Sequence, residues 1–159
     1  MDLVSRYSDS LESLDITENL LGVFSSPPVP DRYLTATIRA GHDFLSRATQ
    51  LKHLMFQRNQ PNVRWVTMAL QTVDSKDLQQ ITLRPGFSLS RHSIQETITR
   101  EWKDLDRLLV QFKPSSSVHP KITYEMEMDE EDLTRDASSL LPELTTRGFV
   151  DKVAYSRPQ

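Results

Sequence analysis

The chain contains no cysteine among its 159 residues and only four glycines. The missing cysteines exclude disulfide bonds, thiolate nucleophiles and cysteine-rich zinc sites. The few glycines form neither a phosphate-binding P-loop nor the glycine-rich fingerprint of a dinucleotide site. No apolar run approaches the roughly 20 residues that a membrane-spanning helix needs, and the acidic N-terminus lacks the features of a secretory signal. We therefore expect an intracellular protein, cytoplasmic or nuclear, that makes no membrane contact.

The chain also lacks an excess of charge of either sign. Its 19 basic residues stand against 22 acidic ones, which gives a formal net charge of -3. Proteins that bind nucleic acids usually present a clustered basic surface, so we predict no nucleic-acid partner. The length and a hydrophobic content of 37% suit one domain with a real core.

A nine-residue pattern occurs twice and then a third time in altered form. Leu11–Asn19 reads LESLDITEN and Leu51–Asn59 reads LKHLMFQRN, whereas Leu78–Gly86 reads LQQITLRPG and ends on glycine. The pattern L-x-x-L-x-L-x-x-N is the strand segment of a leucine-rich repeat, a unit that buries its apolar face only by stacking on its neighbours. The predicted fold class is α/β: a short, irregular leucine-rich-repeat solenoid with parallel strands, helices on the convex side and a C-terminal helical cap.

The spacing of apolar residues places the remaining elements. Strands are expected near 13–16, 53–56, 80–83 and 121–126, with a final short strand at 149–153. A proline-rich insertion near 25–40 separates the first two copies, and a short helix is expected within 35–49. Further helices are predicted from Pro61 onward, from a capping box at Ser93 to Phe112, and from about Asp136 to Arg147, after an acidic loop at 127–132. Residues 1–88 then hold the repeat-like units and 89–159 the cap, within a single domain.

The motif and its strands suggest a turn-forming role for some polar residues and a binding role for others. Asn19 and Asn59 are expected to satisfy the backbone of the turn after each strand, a role that Gly86 cannot fill. Alternation along the strands makes His53, Met55, Gln80 and Thr82 candidate protein contacts on the concave face. The alternative is that they form an ordinary solvated strand surface.

No catalytic, cofactor-binding or metal-binding residue is predicted. The histidines are too far apart in sequence to form a recognisable ligand motif, and no H-E-x-x-H sequence occurs. The acidic run from Glu125 to Asp132 does not match the calcium loop of an EF-hand, and no G-x-S-x-G elbow is present. We therefore expect that the protein is not an enzyme and uses no cofactor.

Three longer strings carry a resemblance to a known family. They are WVTMALQTV followed by LQQITL, EWKDLDRLLVQF, and LLPELTTRGFVD, which together resemble the C-terminal region of fungal F-box-type leucine-rich-repeat proteins. The resemblance implies an adaptor whose repeats hold a target while an F-box docks a ubiquitin-ligase core. Nothing before Leu11 resembles an F-box, so we expect a truncated or divergent member, or a partner that supplies the missing part. The family provides no functional residue to carry over.

The function predicted from these patterns is a protein-interaction module for an unknown protein partner. The alternatives are a gene fragment without independent function and, less favoured, an enzyme or small-molecule-binding protein. A second expectation concerns the Leu11–Ile16 strand, which would stand at an uncapped sheet edge and allow self-association. A second chain, residues 1–7 or the insertion at 27–49 is expected to cover it.

Overall fold

A computed structural model describes residues 10–18, 33–36, 43–58, 63–85, 96–112 and 119–154. Six strands form one parallel sheet in the order β2-β1-β3-β4-β5-β6: β1 Ser13–Glu18, β2 Tyr33–Ala36, β3 His53–Arg58, β4 Gln80–Pro85, β5 Lys121–Met126 and β6 Val150–Ala154. The helices are α1 Val63–Gln71, α2 Glu96–Gln111, α3 Glu130–Leu140 and α4 Pro142–Thr146, together with a short 3-10 helix at Asp43–Arg47. The predicted α/β class with parallel strands is confirmed.

Alternate residues of the strands build the core. In register, Leu14 of β1 lies beside Leu54 of β3, which lies beside Ile81 of β4 and then Ile122 of β5. A second apolar row is formed in the same way two residues later by Ile16, Phe56, Leu83 and Tyr124. Both rows are buried in one cluster with apolar side chains of the helices. The described helices therefore pack against one face of the sheet.

The first leucine of the motif forms a ladder of its own. Leu11, Leu51 and Leu78 are all buried, two positions before the aligned strand residues. The register of β4 and β5 places His119 next in this ladder. Its ring nitrogens lie 2.6 Å from the Leu109 carbonyl oxygen and 2.8 Å from that of Pro120. The chain at β5 thus follows a variant of the motif, with histidine in place of leucine.

Tyr124 is the second departure in this variant copy. It occupies the last apolar position of the motif and is fully buried, with its ring edge-on to Trp102 at 6.2 Å. Its hydroxyl donates a hydrogen bond of 2.6 Å to Oδ2 of the buried Asp136 on α3. Burial raises the pKa of the Tyr124 hydroxyl, and the nearby Asp136 carboxylate raises it further. The hydroxyl therefore stays protonated and acts as the donor.

The C-terminal helices differ from the prediction. The expected acidic loop ends earlier, because Asp129 caps α3 by accepting a 2.8 Å hydrogen bond from the backbone N–H of Asp132. Acidic residues in the first turn of α3 also complement the positive end of the helix dipole. The single helix expected from Asp136 to Arg147 is interrupted at Leu141, and Pro142 starts α4. The final strand is confirmed as β6.

The proline-rich insertion contributes a strand. Residues 33–36 form β2, which pairs with β1 in parallel, and a 3-10 helix replaces the expected helix in the segment that follows. The Leu11–Ile16 segment therefore lies inside the sheet, and the prediction of an uncapped edge there, open to self-association, is wrong. Of the three covers expected for it, the insertion is the one found. Asn19, Asn59, Pro61, Gly86 and Ser93 lie outside the described residues.

A buried serine connects the segments that lead into β3 and β4. The Ser75 hydroxyl lies 2.7 Å from the carbonyl oxygen of Leu51 and 3.0 Å from that of Thr49. It also accepts a longer bond, 3.3 Å, from the backbone N–H of Asp77. One side chain thereby serves backbone groups of the segments that precede β3 and β4.

A buried carboxylate supplies the cap that α4 lacks. Leu141 stands at the N-cap of α4 and offers no side-chain oxygen, while Pro142 has no N–H. Asp106 of α2 accepts hydrogen bonds from the backbone N–H groups of Glu143 (2.8 Å) and Leu144 (3.0 Å). Burial raises the pKa of Asp106, and the two backbone hydrogen bonds partly oppose that effect.

We expect Asp106→Ala to lower the free energy of unfolding by about 2–4 kcal/mol, because two backbone donors at a buried helix end lose their acceptor. Urea unfolding at neutral pH would measure the loss. Asp104→Ala, on the exposed side of the same helix, is the matched control and should cost less than about 0.5 kcal/mol. Equal losses from both variants would contradict the capping role.

The Asp106 contribution should also depend on pH. Its folded-state pKa lies above the ordinary 3.8, so the folded protein holds a proton in a range where the unfolded chain has released it. The stability advantage of wild type over Asp106→Asn should therefore decrease as the pH rises from 3.8 through the folded pKa. Urea unfolding of both proteins across this range is the measurement, and an advantage that grows with pH would contradict the assignment.

Candidate protein-interaction surface

The face of the sheet opposite the described helices is called here the open face. Its side chains, read from the register, stand in three rows that cross the strands. The rows are Ser13, His53, Gln80 and Lys121, then Asp15, Met55, Thr82, Thr123 and Asp151, then Gln57, Arg84, Glu125 and Val153. The open face is therefore mainly polar, in contrast to the apolar rows on the other side.

All four predicted contact residues belong to the open face, but they differ in accessibility. His53 is exposed, and Met55 and Gln80 are half-buried. Thr82 is only 4% exposed, so little of it is available to a partner. The structure thus brings the four residues together on adjacent strands while placing Thr82 beneath its neighbours.

Gln80 connects the centres of two strands. Its Nε2 donates to Oγ1 of Thr82 at 3.2 Å and to Oγ1 of Thr123 at 3.3 Å. Thr123 is buried like Thr82, and the register sets the two threonines side by side. The two threonine hydroxyls therefore fix the position of the Gln80 carboxamide above them.

Arg84 and Glu125 form a cross-strand pair on the other side of the two threonines. Nε of Arg84 lies 2.9 Å from Oε2 of Glu125, and Nη2 of Arg84 contacts the same oxygen. The two side chains are 30% and 16% exposed. Salt screens a charge pair that is partly withdrawn from water less than it screens a surface pair. We therefore expect Arg84 and Glu125 to stay paired.

The second cross-strand pair is far more exposed. Nζ of Lys121 lies 2.8 Å from Oδ2 of Asp151, with side-chain exposures of 59% and 57%. Within the described part of the open face, both cations are therefore matched by carboxylates. Proteins that bind nucleic acids usually present clustered cations without such partners. The expectation of no nucleic-acid partner stays a prediction.

The described residues hold no group of three or more His, Asp and Glu side chains arranged to bind a metal ion. Of the described histidines, His53 is exposed on the open face and His119 lies between two carbonyl oxygens. None of the described helices is long and apolar enough to cross a membrane. The expectations that the protein is not an enzyme and needs no cofactor stay predictions.

Several residues of the open face were not singled out from the sequence. Arg84 and Gln57 follow from strict alternation along β3 and β4, and extending the predicted contacts by two positions would have found them. Thr123 and Glu125 are harder to find, because His119 stands two residues before their strand where the motif has a leucine. Only the register of the sheet shows that they continue the same rows.

Comparisons of this chain with protein-family models, curated proteins and solved structures give no match. The resemblance to F-box-type leucine-rich-repeat proteins therefore stays a prediction.

The two cross-strand ion pairs should differ in strength. A double-mutant cycle with Arg84→Ala and Glu125→Ala should give a coupling energy of about 1–2 kcal/mol, because that pair is partly buried. The cycle with Lys121→Ala and Asp151→Ala should give about 0.5 kcal/mol or less and vanish in 1 M salt (~3 Å screening length). Urea unfolding measures both cycles, and equal couplings would contradict the difference in burial.

Proposed function

We propose that the chain is a protein-interaction module built as a short leucine-rich-repeat solenoid, with the open face as its binding surface. The observation that supports this most is the one-sided packing of a parallel sheet. Parallel sheets occur almost only with both faces covered, whereas the described helices cover one face here. A partner protein would supply the second cover.

The middle of the open face has the composition of a contact site. Met55 lies on β3, near the centre of the sheet, with the exposed His53 and the half-buried Gln57 on the same strand. Methionine adapts its shape to a partner more readily than branched apolar residues do. An apolar centre with a polar surround is also the usual anatomy of a protein interface.

The size of the open face indicates a modest interaction. Six strands spaced by about 4.8 Å span roughly 24 Å, and the longest strands, of six residues, span about 20 Å. The flat outline of the face is therefore at most about 480 Å², which is smaller than the roughly 800 Å² that each partner contributes to a standard interface. A partner restricted to this face would therefore bind transiently, and tight binding would require contacts beyond the sheet.

The narrower proposal is that the bound protein is a substrate for ubiquitination. It is supported by the resemblance of WVTMALQTV, EWKDLDRLLVQF and LLPELTTRGFVD to F-box-type leucine-rich-repeat proteins. Ubiquitin-ligase core subunits should then co-purify with the complex. Their absence beside a reproducible partner would leave the interaction module and remove the ligase connection.

Site-specific photo-crosslinking would test the binding surface. A photoreactive amino acid at Met55 should capture one reproducible protein from cells, and the same group at Lys103 on the exposed side of α2 should not. Capture of the same proteins from both positions would contradict the proposal, as would capture of chaperones alone.

Met55→Glu should weaken binding of the captured partner at least ten-fold, because a carboxylate would be buried at the centre of the contact. The free energy of unfolding should fall by no more than about 1 kcal/mol, since Met55 is only half-buried. Calorimetric titration and urea unfolding measure the two quantities. Unchanged affinity would contradict the role of the open face, and non-cooperative unfolding of the wild-type chain would favour a gene fragment without independent function.

A further inference from the structure

The outer edge of β6 is open in the described part of the chain. β6 ends the sheet and pairs only with β5 among the described strands. In a parallel pair the backbone groups of alternate residues point away from the neighbour, so part of the N–H and C=O groups of Val150–Ala154 face outward. Such an edge is a template for pairing with another strand.

The side chains along this edge form a short, exposed pattern. Phe149 and Val153 are 39% and 41% exposed, and they are two of only three exposed large hydrophobic residues in the described chain. Asp151 lies between them at a spacing of two residues and is also exposed. In the register of the sheet, Asp151 and Val153 follow Thr123 and Glu125, so the pattern belongs to the side of the open face.

The Asp151 carboxylate remains accessible although it already has a partner. Its ion pair with Lys121 lies along the sheet toward β5 and is more than half exposed on both sides. The direction away from β5 leads from Asp151 across the outer edge of the sheet. A carboxylate accepts several hydrogen bonds, so a second cation on the outer side would add to the pair with Lys121.

We propose that β6 accepts an extended segment of another protein as a seventh strand. The segment carries a basic residue opposite Asp151 and apolar residues opposite Phe149 and Val153. Side chains directly opposite on neighbouring strands lie about 4.5–5.5 Å apart, where unlike charges and apolar pairs stabilise the pairing. Backbone hydrogen bonds supply affinity in this mode of recognition, and alternate side chains supply selectivity. The proposal concerns a surface distinct from the centre of the open face and does not depend on its function.

A second copy of this chain fits the edge poorly. Two β6 strands related by a two-fold axis would run antiparallel. A register centred on Asp151 would place Asp151 opposite its own copy, and one centred on Lys152 would place Lys152 opposite its own copy. Like charges directly opposite destabilise strand pairing. These two registers pair the largest number of residues within 149–154, so the charged middle of β6 acts against the most extensive self-pairing and still admits a strand of different sequence.

A peptide with the required alternation tests the proposal directly. The probe is a seven-residue peptide of threonines in which the second, fourth and sixth positions are valine, lysine and valine. Nuclear magnetic resonance titration with the full chain should shift the amides of 150–154, and hydrogen exchange of these amides should slow. A second peptide with glutamate in place of lysine should bind roughly five-fold more weakly, from the reversal of one cross-strand charge pair.

Reversing the charge at Asp151 should reverse which of the two peptides the protein binds more tightly. Asp151→Lys should bind the glutamate peptide better than the lysine peptide, and Asp151→Asn should remove most of the difference. Asp104→Lys is the matched control, since Asp104 is also 57% exposed and pairs with a cation, Arg107. This control should keep the wild-type preference.

Three results would overturn the proposal. They are the absence of binding by either peptide, equal binding of both by the wild-type chain, and a preference that Asp151→Lys leaves unchanged.

A wild-type dimer in light scattering that protects 150–154 from exchange would show instead that a second copy occupies the edge. A lysine peptide in which prolines replace the threonines beside the lysine should not bind, because it cannot form the backbone ladder.

Discussion

The structure depends on the in-register stacking of apolar residues on one side of a parallel sheet. Leu14, Leu54, Ile81 and Ile122 form one continuous row, although 40, 27 and 41 residues of chain separate them. Because the two apolar rows lie on the same side of the sheet, the helices can bury apolar surface only on that side. The opposite side is left mainly with the polar residues of the strands.

Much of the fold could be predicted from sequence because the strand pattern is local. The motif located β1, β3 and β4 to within two residues, and alternation located β5. The short run after Gly148 located β6 to within one residue. β2 was missed because its four residues carry no repeat pattern and become a strand only by pairing with β1. The cap of α4 was missed for a similar reason, since Asp106 lies 37 residues before Glu143 in the chain.

The open face was predictable where alternation alone decides direction, as for His53, Met55 and Gln80. Accessibility was not predictable, because it depends on side chains from other strands. Thr82 is covered in the folded chain, next to Thr123 and below the Gln80 carboxamide. The Arg84–Glu125 pair joins residues 41 positions apart, and no spacing rule along the chain connects them.

The histidine that stands in place of a leucine two residues before β5 makes the two sides of the sheet unequal. The ring nitrogens of His119 lie near the carbonyl oxygens of Leu109 and Pro120, and its ring lies 4.7 Å from the Phe149 ring. A strand inserted directly after β5 would have to displace the Phe149 ring from this imidazole or place its own apolar side chain against it. An inserted strand would disturb less between β1 and β4, where the aligned residues Leu11, Leu51 and Leu78 are all leucines. The sheet would therefore lengthen at lower cost in its β1–β4 part than next to β5.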